Sequence, residues 1–455
     1  MIVRVPASSG VTTTASRSLW RARDFRRYAG ADAISKVGSQ VSLVALPLTA
    51  AITLHASPFQ VGLLTAAEML AFLLVGLPAG AWVDRMPRRP VLVAADVVRA
   101  AALLSIPAAA AAGALGLPQM YAVALLTGLC TVFFDVAHQS YLPAIVGPRG
   151  LARGHGVLAA NVSVAELSGP AIGGWLVQAL TAPMAVVADA LSYAVSALLL
   201  VRVRTDEGRG RAGSPGEGRG TEQGERQGTG QGERQGTGQG EGRAEEQGEA
   251  ARGGLRSEIA EGLRFVLGQP VLRRVAMVGA LTMTSFGLWS ATVPLYLVRE
   301  VGVSPGAYGT LLSAGAAGGV FGAWLGPRAV ARMGTGRAMY ASALAATLFI
   351  PPLAFTGGGA RLLIFPAALA ASGVATTVFS VAQGTYRQSI CPPHLLGRLS
   401  ATMRFLMWGP TPLGGLLAGT LGQLAGVRVA FWTACGAYAL AHLPILLAPG
   451  IRRVG

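Results

Sequence analysis

The sequence predicts an all-α membrane protein of twelve transmembrane helices in two parallel six-helix repeats, and three observations carry that prediction. Of 455 residues, 52% are hydrophobic and only 13% are Asp, Glu, Lys or Arg, against roughly 25% in an average soluble domain. Apolar stretches near twenty residues, the length that crosses a bilayer, recur a dozen times. The chain also repeats itself about a polar middle. A shift of 247 pairs Pro47 with Pro294, Ser57-Pro58 with Ser304-Pro305, Gly62 with Gly309 and Arg85-Met86 with Arg332-Met333. After a two-residue adjustment, a shift of 245 pairs Tyr141 with Tyr386, Gly169 with Gly414 and Tyr193 with Tyr438.

Residues 1-27 read as a cytoplasmic N-terminal arm with Arg17, Arg21, Arg23, Arg26 and Arg27, and its first sixteen residues lack the apolar core of a signal peptide. The first half, 28-203, holds spans near 28-52, 60-82, 90-112, 119-141, 156-179 and 183-203. Residues 204-254 are Gly, Glu, Arg and Gln repeats, with the octamer GERQGTGQ twice in tandem. Such a segment has no apolar face to bury and reads as a disordered cytoplasmic linker reaching roughly 40 Å by random-coil scaling. Its Gly208, Gly210 and Gly213 match GxGxxG spacing, but no strand precedes them and no helix follows. The second half, 255-455, holds spans near 274-298, 307-328, 338-356, 362-384, 400-424 and 429-448. Continuous apolar runs rich in Gly and Ala are bundle helices, whereas a membrane barrel alternates residue by residue.

Orientation follows the arginines. Alternate connections carry Arg85, Arg88, Arg89, then Arg149 and Arg153, then Arg328, Arg332, Arg337, then Arg387 and Arg398; the opposite ones hold only Arg299, Arg361 and Arg428. Both termini are therefore expected in the cytoplasm. The net charge of +16 reads as topology beside a lipid bilayer, with no nucleic acid as partner. Lys36 is the single lysine, so no Gly-Lys pair exists for a phosphate-binding loop, and ATP-driven transport by this chain alone is not expected. Cys130, Cys391 and Cys435 form no CxxC, and the five histidines form no HxxxH, so no metal or other cofactor and no enzyme activity are expected.

Carboxylates inside the spans are the sharpest signal. Asp32, Glu68, Asp96, Asp135, Glu166 and Asp189 place one in each of the first six spans, whereas the repeat-related positions hold Gly279, Gly315, Ala343, Ser380, Thr411 and Ala434. A charge at mid-bilayer costs about 2.5–3.5 kcal/mol on insertion scales, so such groups line a cavity or pair. Asp32 and Lys36 are four apart, and Asp96 and Arg99 three apart, so each set is expected to pair along one helix. Asp189 suits a helix-packing hydrogen bond. Glu68 and Glu166 have no cation on their own helix, which makes them the proton-coupling candidates. Phe286, Trp289, Phe379, Gln383 and Trp408 are candidates for an amphipathic substrate cavity; the plainer role for aromatics in spans is packing.

Gly80, Asp84, Arg85, Arg88 and Arg89 resemble the GxxxDRxGRR loop of the major facilitator superfamily, with Pro87 where that family has Gly. Gly169-Pro170-Ala171-Ile172-Gly173-Gly174 resembles its proton-antiporter motif GPxxGG. Phe133-Phe134-Asp135, Tyr141-Leu142-Pro143 and Asp189 to Tyr193 look like the branch of enterobactin and macrolide exporters, although Gly38-Ser39 stands where that branch often has Gly-Asp. The resemblance implies the major facilitator fold and export of a small, partly hydrophobic compound of drug or siderophore type by proton antiport. It also implies a cytoplasmic gate in which Asp84 meets the start of span 11, near Arg404, an anion at a helix N-terminus being favourable. Asp96, Arg99 and Asp135 are expected to join that gate. A monomer in the cytoplasmic membrane is expected. A proton-coupled importer on the same scaffold, or a receptor that no longer transports, are the alternatives.

Overall fold

The computed structural model describes residues 19–76, 78–83, 85–204, 263–391, 396–448 and 450–451. Asp84, the arm up to residue 18 and the linker from residue 205 lie outside the described residues.

Helices follow one another with short turns. In chain order they are α1 (Arg23–Leu48), α2 (Pro58–Val75, resuming as Pro78–Val83), α3 (Arg88–Ala111), α4 and α5 within one continuous run (Leu117–Ala179), and α6 (Ala182–Val201). After the linker come α7 (Pro270–Pro294), α8 (Pro305–Met333), α9 (Thr335–Phe349), α10 (Ile364–Ile390), α11 (Leu396–Trp408, resuming as Thr411–Ala425) and α12 (Val427–Leu440). Among the described residues, eight helices are long and apolar enough to cross a membrane, the run Leu117–Ala179 counting once.

The turns between spans are written into the sequence. Ser57 closes a capping box with Gln60, its hydroxyl accepting from the Gln60 amide at 3.3 Å while the Gln60 side chain accepts from Ser57 N at 2.7 Å. Its repeat mate Ser304 caps α8 through Ala307 N, and in both cases proline occupies the first helical position, where a missing N–H costs nothing. A single wide π-helical turn follows Pro47 and Pro294 alike, at Thr49–Thr53 and Leu295–Glu300. The sequence suggested a loop near 142–155 between spans 4 and 5. There two helices meet across a kink at Gly147, whose φ of 63° and open surroundings suit a residue without Cβ.

The arginine-rich end of the bundle is sealed within the first half by an aromatic core. Tyr28 and Tyr141 are fully buried there, and Tyr28 donates to the His138 carbonyl at 2.8 Å while its ring stacks on the His138 ring at 4.6 Å. At the opposite end the two halves meet on glycine. A Cβ on Gly62 of α2 would lie 2.4 Å from the Gly415 carbonyl oxygen of α11, and one on Gly174 of α5 would lie 2.3 Å from the Pro305 carbonyl oxygen of α8. Backbones approach this closely only where side chains are absent. Hydrogen bonds lock the same end: the Gln178 side chain accepts from Gly306 N at 3.0 Å, and Arg299 donates to the Ala51 carbonyl.

Candidate transport site

Among the described residues, two chambers inside the bundle stand out. The first, about 330 Å³, is walled by α1, α2, α3, α4 and α6, with Arg404 and Trp408 reaching in from α11. Its lining is charged. Lys36 Nζ sits 3.4 Å from Asp135 Oδ1, with both side chains about one-third exposed. Arg99 pairs with Asp96 in full burial and lies over the rings of Phe134 and Tyr193, 4.4 and 4.1 Å from their centroids. Asp189 is 1% exposed and accepts from Ser42 and from Ser192, the latter at 3.1 Å. Ser39 and Tyr193 share a hydroxyl–hydroxyl hydrogen bond of 2.8 Å.

The second chamber, about 460 Å³, is walled by α7, α8, α10 and α12 with Gln40, Leu43, Glu166 and Pro170 contributed from the first half. Phe286, Trp289, Tyr308 and Tyr438 give it an aromatic lining in which Glu166 is the one charged residue. Phe286 and Trp289 stack one helical turn apart, 6.2 Å between centroids.

The chambers are repeat-related. The shifts of 247 and 245 carry Ser39 onto Phe286, Ser42 onto Trp289, Glu68 onto Gly315, Phe72 onto Gly319, Thr131 onto Thr376 and Tyr193 onto Tyr438, each pair lining the corresponding chamber. Even the intruding groups correspond, because α5, which brings Glu166 to the second chamber, is the repeat mate of α11, which brings Arg404 to the first.

Against the sequence expectations, Asp96 and Arg99 meet as their spacing predicts. Asp32 and Lys36 do not pair in the expected way. Lys36 turns into the chamber toward Asp135, and Asp32, one turn nearer the arginine-rich end, accepts from Asn161 at 2.9 Å and faces His138 Nε2 at 3.4 Å. One helical face brought the two residues near, and a better partner on a neighbouring helix took each. Asp135 thus lines the charged chamber. Arg404 also lines it, its guanidinium 5.4 Å from the Phe72 ring.

The loop residues are placed as follows. Gly80 lies in the short second piece of α2, Arg85 is exposed in the turn after it, and Arg88 opens α3. Arg89 donates from Nε to the Leu200 carbonyl at 3.2 Å and again to Val201, closing the C-terminal end of α6 within its own half. In the antiporter-like segment, Gly169 and Gly173 pack on α1 and Gly174 on α8 across the halves. Glu68 lines the charged chamber and Glu166 the aromatic one, and neither has a salt bridge or hydrogen-bond partner among the described residues.

Of the expected cavity residues, Phe286 and Trp289 line the aromatic chamber and Trp408 the charged one. Phe379 and Gln383 line neither; both are buried, and Phe379 meets His442 edge-on at 5.8 Å. Sequence reasoning passed over Gln40, Tyr193, Tyr308 and Tyr438, of which Tyr193 and Tyr438 were already aligned by the repeat. Among the described residues no group of three or more His, Cys, Asp or Glu side chains is placed to hold a metal ion.

The model of the Major Facilitator Superfamily matches residues 32–411, and the chain belongs to that superfamily. Multidrug efflux pump Tap of Mycobacterium tuberculosis is 28% identical over 414 residues, covering 88% of this chain and 87% of that protein. The protein of the same name from Mycolicibacterium fortuitum is 27% identical over 416 residues, covering 87% and 88%. Among solved structures, a bacterial homologue of the iron transporter ferroportin in an inward-facing state superposes with a TM-score of 0.68 at 16% identity, covering 95% of this chain and 99% of that one. The nucleoside transporter NupG gives 0.67 at 10% identity over 93% and 98%. The chain therefore has the major facilitator fold, and it is a multi-pass membrane transporter of small molecules.

Proposed function

We propose that the chain exports small, partly hydrophobic compounds by proton antiport, two six-helix halves (28–203 and 255–455) rocking about the chambers in alternating access. The observation that carries this reading is the placement of Glu166, a carboxylate with no salt bridge or hydrogen bond among the described residues, in the wall of an otherwise uncharged aromatic chamber. A carboxyl so placed holds either a proton or the polar group of a substrate, and exchange of one for the other links the two fluxes. The efflux function named for the mycobacterial relatives supports the outward direction. Arginine placement supports cytoplasmic termini in the cytoplasmic membrane, and a monomer contains both chambers. The glycine contacts at the opposite end suit a closed outer gate, with Asp84 and the arginines after it serving the inner one.

The test begins with a growth-resistance screen on overexpression, followed by flux of the selected compound in proteoliposomes of known orientation. One charge moved through 100 mV is worth about 2.3 kcal/mol, a roughly fiftyfold accumulation ratio. Glu166→Gln is expected to collapse that ratio while passive exchange survives, and Glu68→Gln serves as the comparison. Should Glu166→Gln still concentrate the compound with unchanged pH dependence, Glu166 is a packing residue. Inward accumulation by the wild-type chain would identify an importer, and absence of flux with every compound a receptor or scaffold.

A further inference from the structure

One residue belongs to both chambers. Gln40 on α1 lines the charged chamber and the aromatic one, and it alone among the described residues does so. Its amide has no hydrogen-bond partner among those residues, which leaves two donors and an acceptor free at the junction.

The position is built rather than incidental. Gly169 of α5 lies directly beneath the side chain: a Cβ there would fall 2.3 Å from Gln40 Cβ and 3.2 Å from Gln40 Cγ. The first glycine of the antiporter-like segment is therefore the seat of Gln40. No counterpart exists in the second half, because the shift of 247 carries Gln40 onto Gly287, where a Cβ would meet the Thr411 carbonyl oxygen at 2.3 Å. Whatever this side chain does, it does once in the molecule.

The chambers it joins ask for different chemistry. Lys36 and Asp135 stand 3.4 Å apart with their side chains about one-third exposed in the first chamber. A simple ion that breaks this pair leaves one partner uncompensated, whereas a group carrying both signs satisfies both. The second chamber offers Phe286 and Trp289 for an aromatic body.

We propose that Gln40 is a substrate-contacting residue at which one molecule spans both chambers, a zwitterionic head beside Lys36 and Asp135 joined to an aromatic body against Phe286 and Trp289. This rests on the reading of the chambers as the substrate site and specifies the class of substrate. Joining the two parts makes the second contact intramolecular, so a two-part ligand gains affinity over either part alone.

The experiment is equilibrium binding to the full chain in lipid nanodiscs, with no gradient applied. Three probes are used: a dansyl group on the side-chain nitrogen of free lysine (head and body), dansylamide (body) and glycine (head). The two-part probe is expected to bind at least tenfold tighter than dansylamide, with glycine competing only weakly. Gln40→Trp, which fills the junction, is expected to erase that advantage, with an unchanged unfolding midpoint in detergent reporting a folded chain. Gln40→Ala is expected to reduce the advantage about threefold. Equal affinity of both dansyl probes for the wild-type chain overturns the proposal. So does Gln40→Ala that binds both probes as the wild type does, or weakens both equally. Because no flux enters, a failure of proton coupling at Glu166 leaves these outcomes unchanged, and a failure here leaves the Glu166 test standing.

Discussion

The charged chamber and the aromatic chamber occupy the same place in two copies of one helical repeat, and they differ almost wherever chemistry is possible. Where the first half carries Ser39, Ser42 and Glu68, the second carries Phe286, Trp289 and Gly315. Where the first half buries Asp96 against Arg99, the second buries Ala343 and Ala346, both fully. Backbone positions are shared, so the helical scaffold itself does not require the charges. Each half also lends groups to the other, Arg404 and Trp408 to the charged side and Gln40, Leu43, Glu166 and Pro170 to the apolar side. A duplicated fold thereby holds two unlike environments that share Gln40, and the difference between them lies in side chains alone.

The sharpest way to break this comparison is to make the first half resemble the second at one position only. Arg99→Ala leaves Asp96 buried without its cation, which costs about 3–5 kcal/mol, and a large fall in folded yield and in the unfolding midpoint in detergent is expected. The double variant Asp96→Ala with Arg99→Ala reproduces the alanine pair of the second half and is expected to recover much of that loss. If the double variant is as unstable as Arg99→Ala, the pair is needed for more than its own neutrality, and the two halves are not interchangeable scaffolds there.

A middle-sized effect is expected from the converse experiment in the aromatic chamber. Trp289→Ser installs the residue that the repeat places at Ser42. Loss of a large ring from a ligand wall costs about 2 kcal/mol at a binding hot spot, so dansylamide affinity should fall roughly thirtyfold, with little change in folded yield. Unchanged affinity would place the apolar body elsewhere than against Phe286 and Trp289.

Much of this arrangement was legible before any coordinates, and the part that was not has a physical reason. Span positions were legible because twenty apolar residues are a length requirement. The one-sided chemistry was legible because the repeat aligns Glu68 with Gly315. Pairing was legible only along one helix: Asp96 and Arg99 are three apart, but the partner of Lys36 lies 99 residues away on α4. Spacing says nothing about which neighbouring helix faces a side chain. For the same reason Phe379 and Gln383, apt by residue type, point into the core of the second half and not into its chamber. Gln40 was invisible because its role depends on the missing Cβ of Gly169, 129 positions later in the chain. The glycines around Gly169 are visible in the sequence, but what packs against them is not.

The smallest expected effect sharpens the comparison at Ser39, whose repeat mate is Phe286. Ser39 donates to the Ser35 carbonyl at 2.8 Å or shares its proton with the Tyr193 hydroxyl, also at 2.8 Å, and Tyr193 in turn supports Arg99. Ser39→Ala removes a back-bond to its own helix, which contributes little, and the partially buried bond to Tyr193, for which about 0.5–1.5 kcal/mol is the usual loss. Tyr193→Phe removes the same bond from its other side, so the two losses should not add, and the double variant should fall short of their sum by about 1 kcal/mol. Unfolding midpoints of the four proteins, measured in one detergent, supply the cycle. Strict additivity would mean that the two hydroxyls are independently solvated in the chamber. Ser39 would then be a cavity-lining group open to ligand, and the rigid polar wall that distinguishes the first chamber would begin at Arg99 instead.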